Sequence, residues 1–166
     1  AMSKPVVSHF LAAIAYRTQK ALRDAPASYP DFDAGGQIRR PVEILRHMTS
    51  VLGYARTFKL GGSYPIKPEP LADFAAEQRR FHEMLESVRD ALDDAGALGS
   101  LTPMQLLQGP LADVMTHVGQ LALLRRLAGA PVAPENFIFA DVRVARLSAE
   151  QPLPAQPDAQ WPERPT

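Results

Sequence analysis

Asp113 and His117 stand four residues apart in a segment with helical periodicity, so their side chains lie one turn apart on the same face. A carboxylate and an imidazole in this arrangement can bind one divalent metal ion. His47, on an earlier helical segment, is the candidate third ligand. Three protein ligands leave coordination positions open, as in metal sites that perform chemistry. The sequence therefore predicts a metal site formed by His47, Asp113 and His117.

The same spacing has an ordinary alternative explanation. An Asp-x-x-x-His pair on a helix is common as a solvent-facing ion pair, and short motifs often match by chance. In that case Asp113 pairs with an Arg or a Lys, and no metal binds. The other two histidines, His9 near the start of the first helix and His82 on the charged side of the third, are predicted to be ordinary surface residues.

Composition excludes several classes of function. The 18 basic residues balance the 18 acidic ones, so nothing favours a nucleic acid or an anionic membrane surface as a partner. The absence of cysteine rules out disulfides, thiolate nucleophiles and iron–sulfur clusters. No apolar run is long enough for a membrane span, and the N-terminus lacks the pattern of a signal peptide. We therefore expect a cytoplasmic protein with one hydrophobic core, since 166 residues suffice for one domain.

Four helices are predicted to position the candidate ligands. The first covers about residues 6–24, the second runs from Pro41 to Gly61-Gly62, and the third starts near Phe74 after a proline-broken linker at 64–70. The polar face of the third helix, including Glu77, is predicted to be solvated.

The fourth helix is predicted to begin with a capping box formed by Thr102 and Gln105 and to end near Ala128-Gly129. Gly109-Pro110 interrupts it one turn before Asp113, because proline removes a backbone hydrogen bond and pushes on the preceding turn. The sequence therefore predicts a kink just before the first ligand of the pair.

Composition changes after residue 130, where seven prolines fall between Pro131 and Pro165. We expect a helical domain at 1–130 and an extended tail at 131–166, with a short extended segment at 136–144. The tail is too apolar for a disordered segment. It contains four large apolar residues, Phe137, Ile138, Phe139 and Trp161. This composition predicts a tail that packs on the bundle or on a partner subunit.

Two segments resemble the DinB/YfiT-like metalloenzyme family. One is His117-Val118-Gly119-Gln120-Leu121, followed by Leu124, Arg125 and Leu127-Ala128-Gly129, and the other is Pro41-Val42-Glu43-Ile44-Leu45-Arg46-His47-Met48. The resemblance implies an all-α, up-down-down-up four-helix bundle that forms a homodimer. It also implies a divalent metal (zinc, nickel, iron or manganese) bound by His47 together with a pair on the fourth helix. Asp113 stands where the family has the first histidine of that pair, so this chain would present two histidines and one carboxylate.

The resemblance further implies a metal-dependent enzyme that acts on a small-molecule substrate. The expected chemistry is S-transfer from a low-molecular-weight thiol, or metal-assisted hydrolysis. Beyond the ligands, no catalytic residue is assigned. Three neighbours carry lesser expectations: Glu43 orients His47 or caps the helix, Tyr54 lines the pocket or packs in the core, and Gln120 hydrogen-bonds a ligand or faces outward. The alternative function is a non-catalytic metal-binding or dimeric stress-related helical bundle.

Overall fold

A computed structural model describes residues 3–158, which form helices and no strand. The helices are α1 (Lys4–Leu22), α2 (Pro41–Leu60), α3 (Phe74–Ala91), α4 (Pro103–Leu106) and α5 (Ala112–Leu127). A π-helical turn at Leu107–Leu111 joins α4 to α5, and 3₁₀ turns lie at Tyr29–Asp31 and Phe137–Phe139. The all-α prediction is therefore confirmed. Within 3–158, no helix combines the length and the apolar character that crossing a membrane requires.

Local signals set the ends of the helices. At the start of α2 the Arg40 amide donates to Glu43 Oε2 at 2.7 Å, and Gly61 ends the helix with a φ of 75°. At the start of α4 the Gln105 amide donates to Thr102 Oγ1, and the Thr102 amide donates to Gln105 Oε1, which completes the predicted capping box. These ends match their predictions because each depends on residues a few positions apart.

The kink predicted at Gly109-Pro110 takes the form of the π-helical turn. Leu106 and Leu111, at either side of the turn, are both fully buried although they are five residues apart. In an α-helix residues five apart point about 140° away from each other. The wider π turn, with its i→i+5 bonds, brings them toward one face. The turn therefore lets α4 and α5 contribute to the same core. It also sets the rotation of α5 about its axis, so that Asp113 and His117 lie on the side of His47.

The helices bury one shared core. α2 packs on α3 and on α5, while α1 packs on α5 and on α3. The fully buried core includes residues from all of these elements and one from the tail: Val7, Leu11, Ile14, Leu45, Met48, Leu52, Phe81, Leu85, Leu106, Leu111, Val114, Leu121 and Leu147. The contact between α2 and α5 is the one that brings His47 to the Asp113 and His117 pair.

The chain after α5 lies against α1 and α3 as far as residue 158. The hydroxyl of Tyr16 on α1 donates to Glu135 Oε2 at 2.7 Å, in a buried position. Arg23 donates to the carbonyl oxygens of Gln151 and Pro152. Residues 1–2 and 159–166, which include Trp161, lie outside the described residues, and the division at residue 130 stays a prediction.

The extended segment predicted at 136–144 is wrong at residues 137–139, whereas Asn136 and Ala140 on either side have extended backbone. Phe137–Phe139 form a 3₁₀ turn, because the side-chain oxygen of Asn136 accepts the Ile138 amide at 3.1 Å. A short polar side chain that bonds its own backbone competes with extended structure. The consecutive apolar residues Phe137-Ile138-Phe139 therefore form a turn and not a strand.

Two predictions of surface exposure on α3 are also wrong. Glu77 is 1 % exposed, and its carboxylate accepts from Arg46 Nε at 2.7 Å and from an Arg80 terminal nitrogen at 2.6 Å. His82 is 3 % exposed, because Leu147 of the tail covers it. Helical periodicity places both residues on the polar side of α3. Arg46 and Arg80 bury Glu77 on that side, and the tail buries His82.

Candidate metal centre

The structure brings His47, Asp113 and His117 together. Each of the three offers one ligand atom, and all three atoms lie within 4.8 Å of one another. The rings of His47 and His117 meet edge to face with their centroids 4.7 Å apart. His117 is buried, His47 is half-buried and Asp113 is exposed. The three side chains therefore form a cluster with one side open to solvent.

A hydrogen bond that His117 donates to Gln120 determines which nitrogen of His117 faces the cluster. His117 Nδ1 lies 2.7 Å from Gln120 Oε1, an oxygen that can only accept, so Nδ1 carries the proton. In a neutral ring Nε2 then presents a lone pair. That nitrogen lies 3.3 Å from Asp113 Oδ1, which is also an acceptor. Two acceptors at this distance require a cation between or beside them, either a proton on Nε2 or a metal ion.

His47 is the third donor beside this pair. Burial lowers the pKa of His47, and the nearby positive charges of Arg39 and His117 lower it further, against the opposing effect of Asp113. A proton shared by Asp113 and His117 would engage only those two side chains, whereas a divalent cation would bind all three. The donor set of two imidazoles and one carboxylate fits such an ion.

A pocket of about 560 Å³ opens beside the cluster, with His47 in its wall. Its floor is the first half of α2, and its opposite wall is the segment at 66–70. Arg39, Arg46 and Lys67 line it together with two glutamates, Glu43 and Glu69. The sequence predicted no role for 64–70 beyond that of a linker, because proline-rich segments carry no periodicity from which a wall can be inferred.

Two contacts hold that wall against α2. Ser50 donates its hydroxyl to the carbonyl oxygen of Pro65 at 2.7 Å. The ring of Tyr64 lies on Gly53, so closely that a Cβ at residue 53 would come within 2.4 Å of ring carbon atoms. The absence of a side chain at Gly53 is therefore a condition for the position of the wall.

The three secondary candidates differ in their placement. Gln120 contacts His117, as described above. The carboxylate of Glu43 caps the first turn of α2 and lines the pocket, without a hydrogen bond to His47 among the described residues. Tyr54 is 59 % exposed and packs edge-on against Phe58, and it is not among the described residues that line the pocket.

Comparison of the chain with models of known families, with curated proteins and with solved structures finds no match. Nothing outside the sequence therefore supports the resemblance to the DinB/YfiT-like family, which stays a prediction. The geometry of the cluster is independent of that resemblance and establishes a possible metal site of two histidines and one aspartate.

Proposed function

We propose that this chain is a metal-dependent enzyme that holds one divalent cation at His47, Asp113 and His117. The observation that carries the proposal is the pair of facing acceptors, His117 Nε2 and Asp113 Oδ1 at 3.3 Å, with a ligand atom of His47 within 4.8 Å of both side chains. The proposal includes the family-like architecture, an up-down-down-up bundle that forms a homodimer. Zinc, nickel, iron and manganese all accept this donor set, so the proposal names no single metal.

The side chains would divide the work as follows. A divalent ion bound here lowers the pKa of a water or thiol ligand and so provides a nucleophile near neutral pH. His47 and His117 would each coordinate the ion through a neutral ring nitrogen, and Asp113 would supply the one negative charge. Gln120 would keep the proton of His117 on Nδ1, which leaves Nε2 free to coordinate the ion. The small-molecule substrate would lie in the pocket that His47 lines, and S-transfer from a low-molecular-weight thiol or hydrolysis is the proposed reaction.

Metal binding is tested by measuring zinc affinity and stoichiometry on protein purified without a nickel column. We expect one equivalent per chain. His117→Ala and His47→Ala should each lower the affinity by more than the roughly 10–100-fold that loss of a neighbouring hydrogen-bond partner costs. His9→Ala is the matched control, because His9 is exposed and lies outside the cluster. If the wild type binds no metal, or if His117→Ala binds as tightly as His9→Ala, Asp113 and His117 form a plain ion pair and the proposal fails.

Catalysis is tested by turnover of a thiol with an electrophile, in the metal-loaded protein and in His117→Ala. We expect turnover in the wild type and in His9→Ala and its loss in His117→Ala. Full activity of His117→Ala would exclude a metal-dependent mechanism. The wild type could also bind metal tightly but turn over neither a thiol with an electrophile nor a hydrolysable ester. That result would identify the alternative function, a non-catalytic metal-binding or stress-related bundle.

A further inference from the structure

A second cavity lies on the other side of α5, enclosed by α1, α5 and the first part of the tail. Its volume is about 210 Å³, and most of its walls are apolar, formed by residues such as Ala21, Met115, Val118, Ala122, Val132 and Phe137. None of the described residues that line it is acidic, whereas Arg17, Lys20 and Arg126 are basic. The cavity therefore combines hydrocarbon walls with basic side chains.

An aromatic ring holds the guanidinium of Arg17 in place. Its guanidinium carbon lies 3.6 Å from the centroid of the Phe137 ring, a stacked position that orients the planar group. Among residues 3–158 Arg17 makes no hydrogen bond and no ion pair; partial burial lowers its pKa, and the nearby negative charge of Glu135 opposes that shift. A guanidinium fixed by an aromatic ring, with its donors unused among the described residues, matches the fork that binds a carboxylate with two parallel bonds.

Glu135 is a carboxylate close to both Lys20 and Arg17. It accepts from the Tyr16 hydroxyl through Oε2, and its Oε1 lies 3.6 Å from Lys20 Nζ without a hydrogen bond among the described residues. The negative charge of Glu135 acts on Lys20 and on Arg17, but among residues 3–158 Glu135 accepts no hydrogen bond from Arg17, so the Arg17 donors can bind a further acceptor.

We propose that this cavity binds a small carboxylic acid as its anion, with the carboxylate on Arg17 and the hydrocarbon body between the apolar walls. The volume equals that of about seven water molecules, which suits an acid of about five to eight carbon atoms. Phosphate would carry the charge but leave the apolar walls without a partner. Successive residues of α5 turn by about 100°, so the cavity residues and the metal cluster lie on opposite faces, and binding should not require a metal.

The test is a titration of the metal-free full chain with hexanoate, followed by calorimetry or by amide chemical shifts. 1-Hexanol offers the same body without charge, and phosphate offers charge without the body. We expect saturable binding of hexanoate, with hexanol and phosphate at least about tenfold weaker, since a lost charge-assisted bond costs roughly 1.4 kcal/mol or more. No saturable binding of hexanoate, or equal affinity for phosphate, would overturn the proposal.

Two variants locate the site. Arg17→Gln should weaken hexanoate binding at least tenfold, whereas Arg79→Gln, the same charge change at an exposed position of α3, should leave it unchanged. Ala122→Leu keeps every charge but fills the cavity, and it should also abolish binding. Circular dichroism verifies that each variant is folded. Hexanoate binding that survives both Arg17→Gln and Ala122→Leu would place the ligand elsewhere and refute the assignment.

Discussion

Gln120 makes a single contact that matters for the cluster, because its carbonyl oxygen holds the proton of His117 on Nδ1. Hydrogen-bond partners of this kind fix the tautomer and orientation of metal-binding imidazoles. At the scale of one residue, the candidate metal cluster therefore depends on a side chain that is not one of its three members.

Replacing Gln120 with Leu removes that acceptor and frees the His117 ring to rotate or to change tautomer. We expect zinc affinity to fall by about 10–100-fold while the fold is retained. Competition with a chromophoric chelator measures the change. The matched control is Gln108→Leu, an exposed glutamine of the π-helical turn for which no hydrogen bond is found among the described residues. Equal affinities of Gln120→Leu and Gln108→Leu would show that Gln120 does not orient the ligand.

At the scale of elements, the buried Glu77 connects α3 to α2 and to the linker between them. Its carboxylate accepts from Arg46 on α2, from Arg80 on α3 and from the Leu71 amide at 2.8 Å. Because Arg46 also lines the pocket, the same carboxylate fixes part of the pocket wall. The α2–α3 contact thus includes a buried charged group, in addition to the hydrogen bond from Arg56 to the Ser87 hydroxyl.

Removing that carboxylate should be costly for stability. Glu77→Leu leaves two half-buried guanidinium groups without their partner, and the expected loss is about 3–5 kcal/mol in the free energy of unfolding. Urea denaturation followed by circular dichroism measures it. Glu83→Leu, at an exposed position of the same helix, should change stability by less than about 0.5 kcal/mol. A loss at Glu77 no larger than that at Glu83 would mean that the arginines find other partners.

At the scale of the whole molecule, His82 links three parts of the chain. Its Nδ1 lies 2.7 Å from the carbonyl oxygen of Leu147 in the tail and donates to it, and its Nε2 accepts from Gln19 on α1. Burial lowers the pKa of His82 to about 4. The neutral ring is therefore part of what holds the tail between α1 and α3.

This buried neutral ring predicts how stability depends on pH. Between pH 6.5 and pH 4 the His82 ring is protonated in the unfolded chain but stays neutral in the folded chain, because its pKa is about 6.5 in the first and about 4 in the second. The free energy of unfolding should therefore fall as the pH decreases from 6.5 toward 4. The slope reaches at most about 1.4 kcal/mol per pH unit. Urea midpoints of the metal-free protein between pH 7.5 and 5 measure it. His82→Gln stays neutral throughout and should flatten the curve; parallel curves for the two proteins would contradict the assignment.

The sequence predicts most of the helix ends and the candidate metal ligands, but not the burial of α3. Thr102, Gln105 and Gly61 act on the backbone within a few residues, and the i,i+4 spacing of Asp113 and His117 is equally local. The burial of Glu77 depends instead on Arg46, which lies 31 positions earlier in a different helix. The burial of His82 depends on Leu147 of the tail, 65 positions later. Such long-range packing leaves no periodic signal in the segment that it buries.

The absence of a side chain at Gly53 makes the shape of the pocket beside His47 depend on a residue outside that pocket. An alanine within a helix normally stabilises a protein by about 1 kcal/mol relative to glycine, but here the added methyl would collide with the Tyr64 ring and lift the wall at 66–70 away from His47. Gly53→Ala should therefore destabilise the chain by about 1–3 kcal/mol, whereas Gly119→Ala, where a Cβ meets nothing, should not, as urea denaturation would show. If Gly53→Ala is instead the more stable of the two variants, the Tyr64 ring does not hold the segment at 66–70 against α2. The expected order means that a residue which does not line the pocket nevertheless determines its shape.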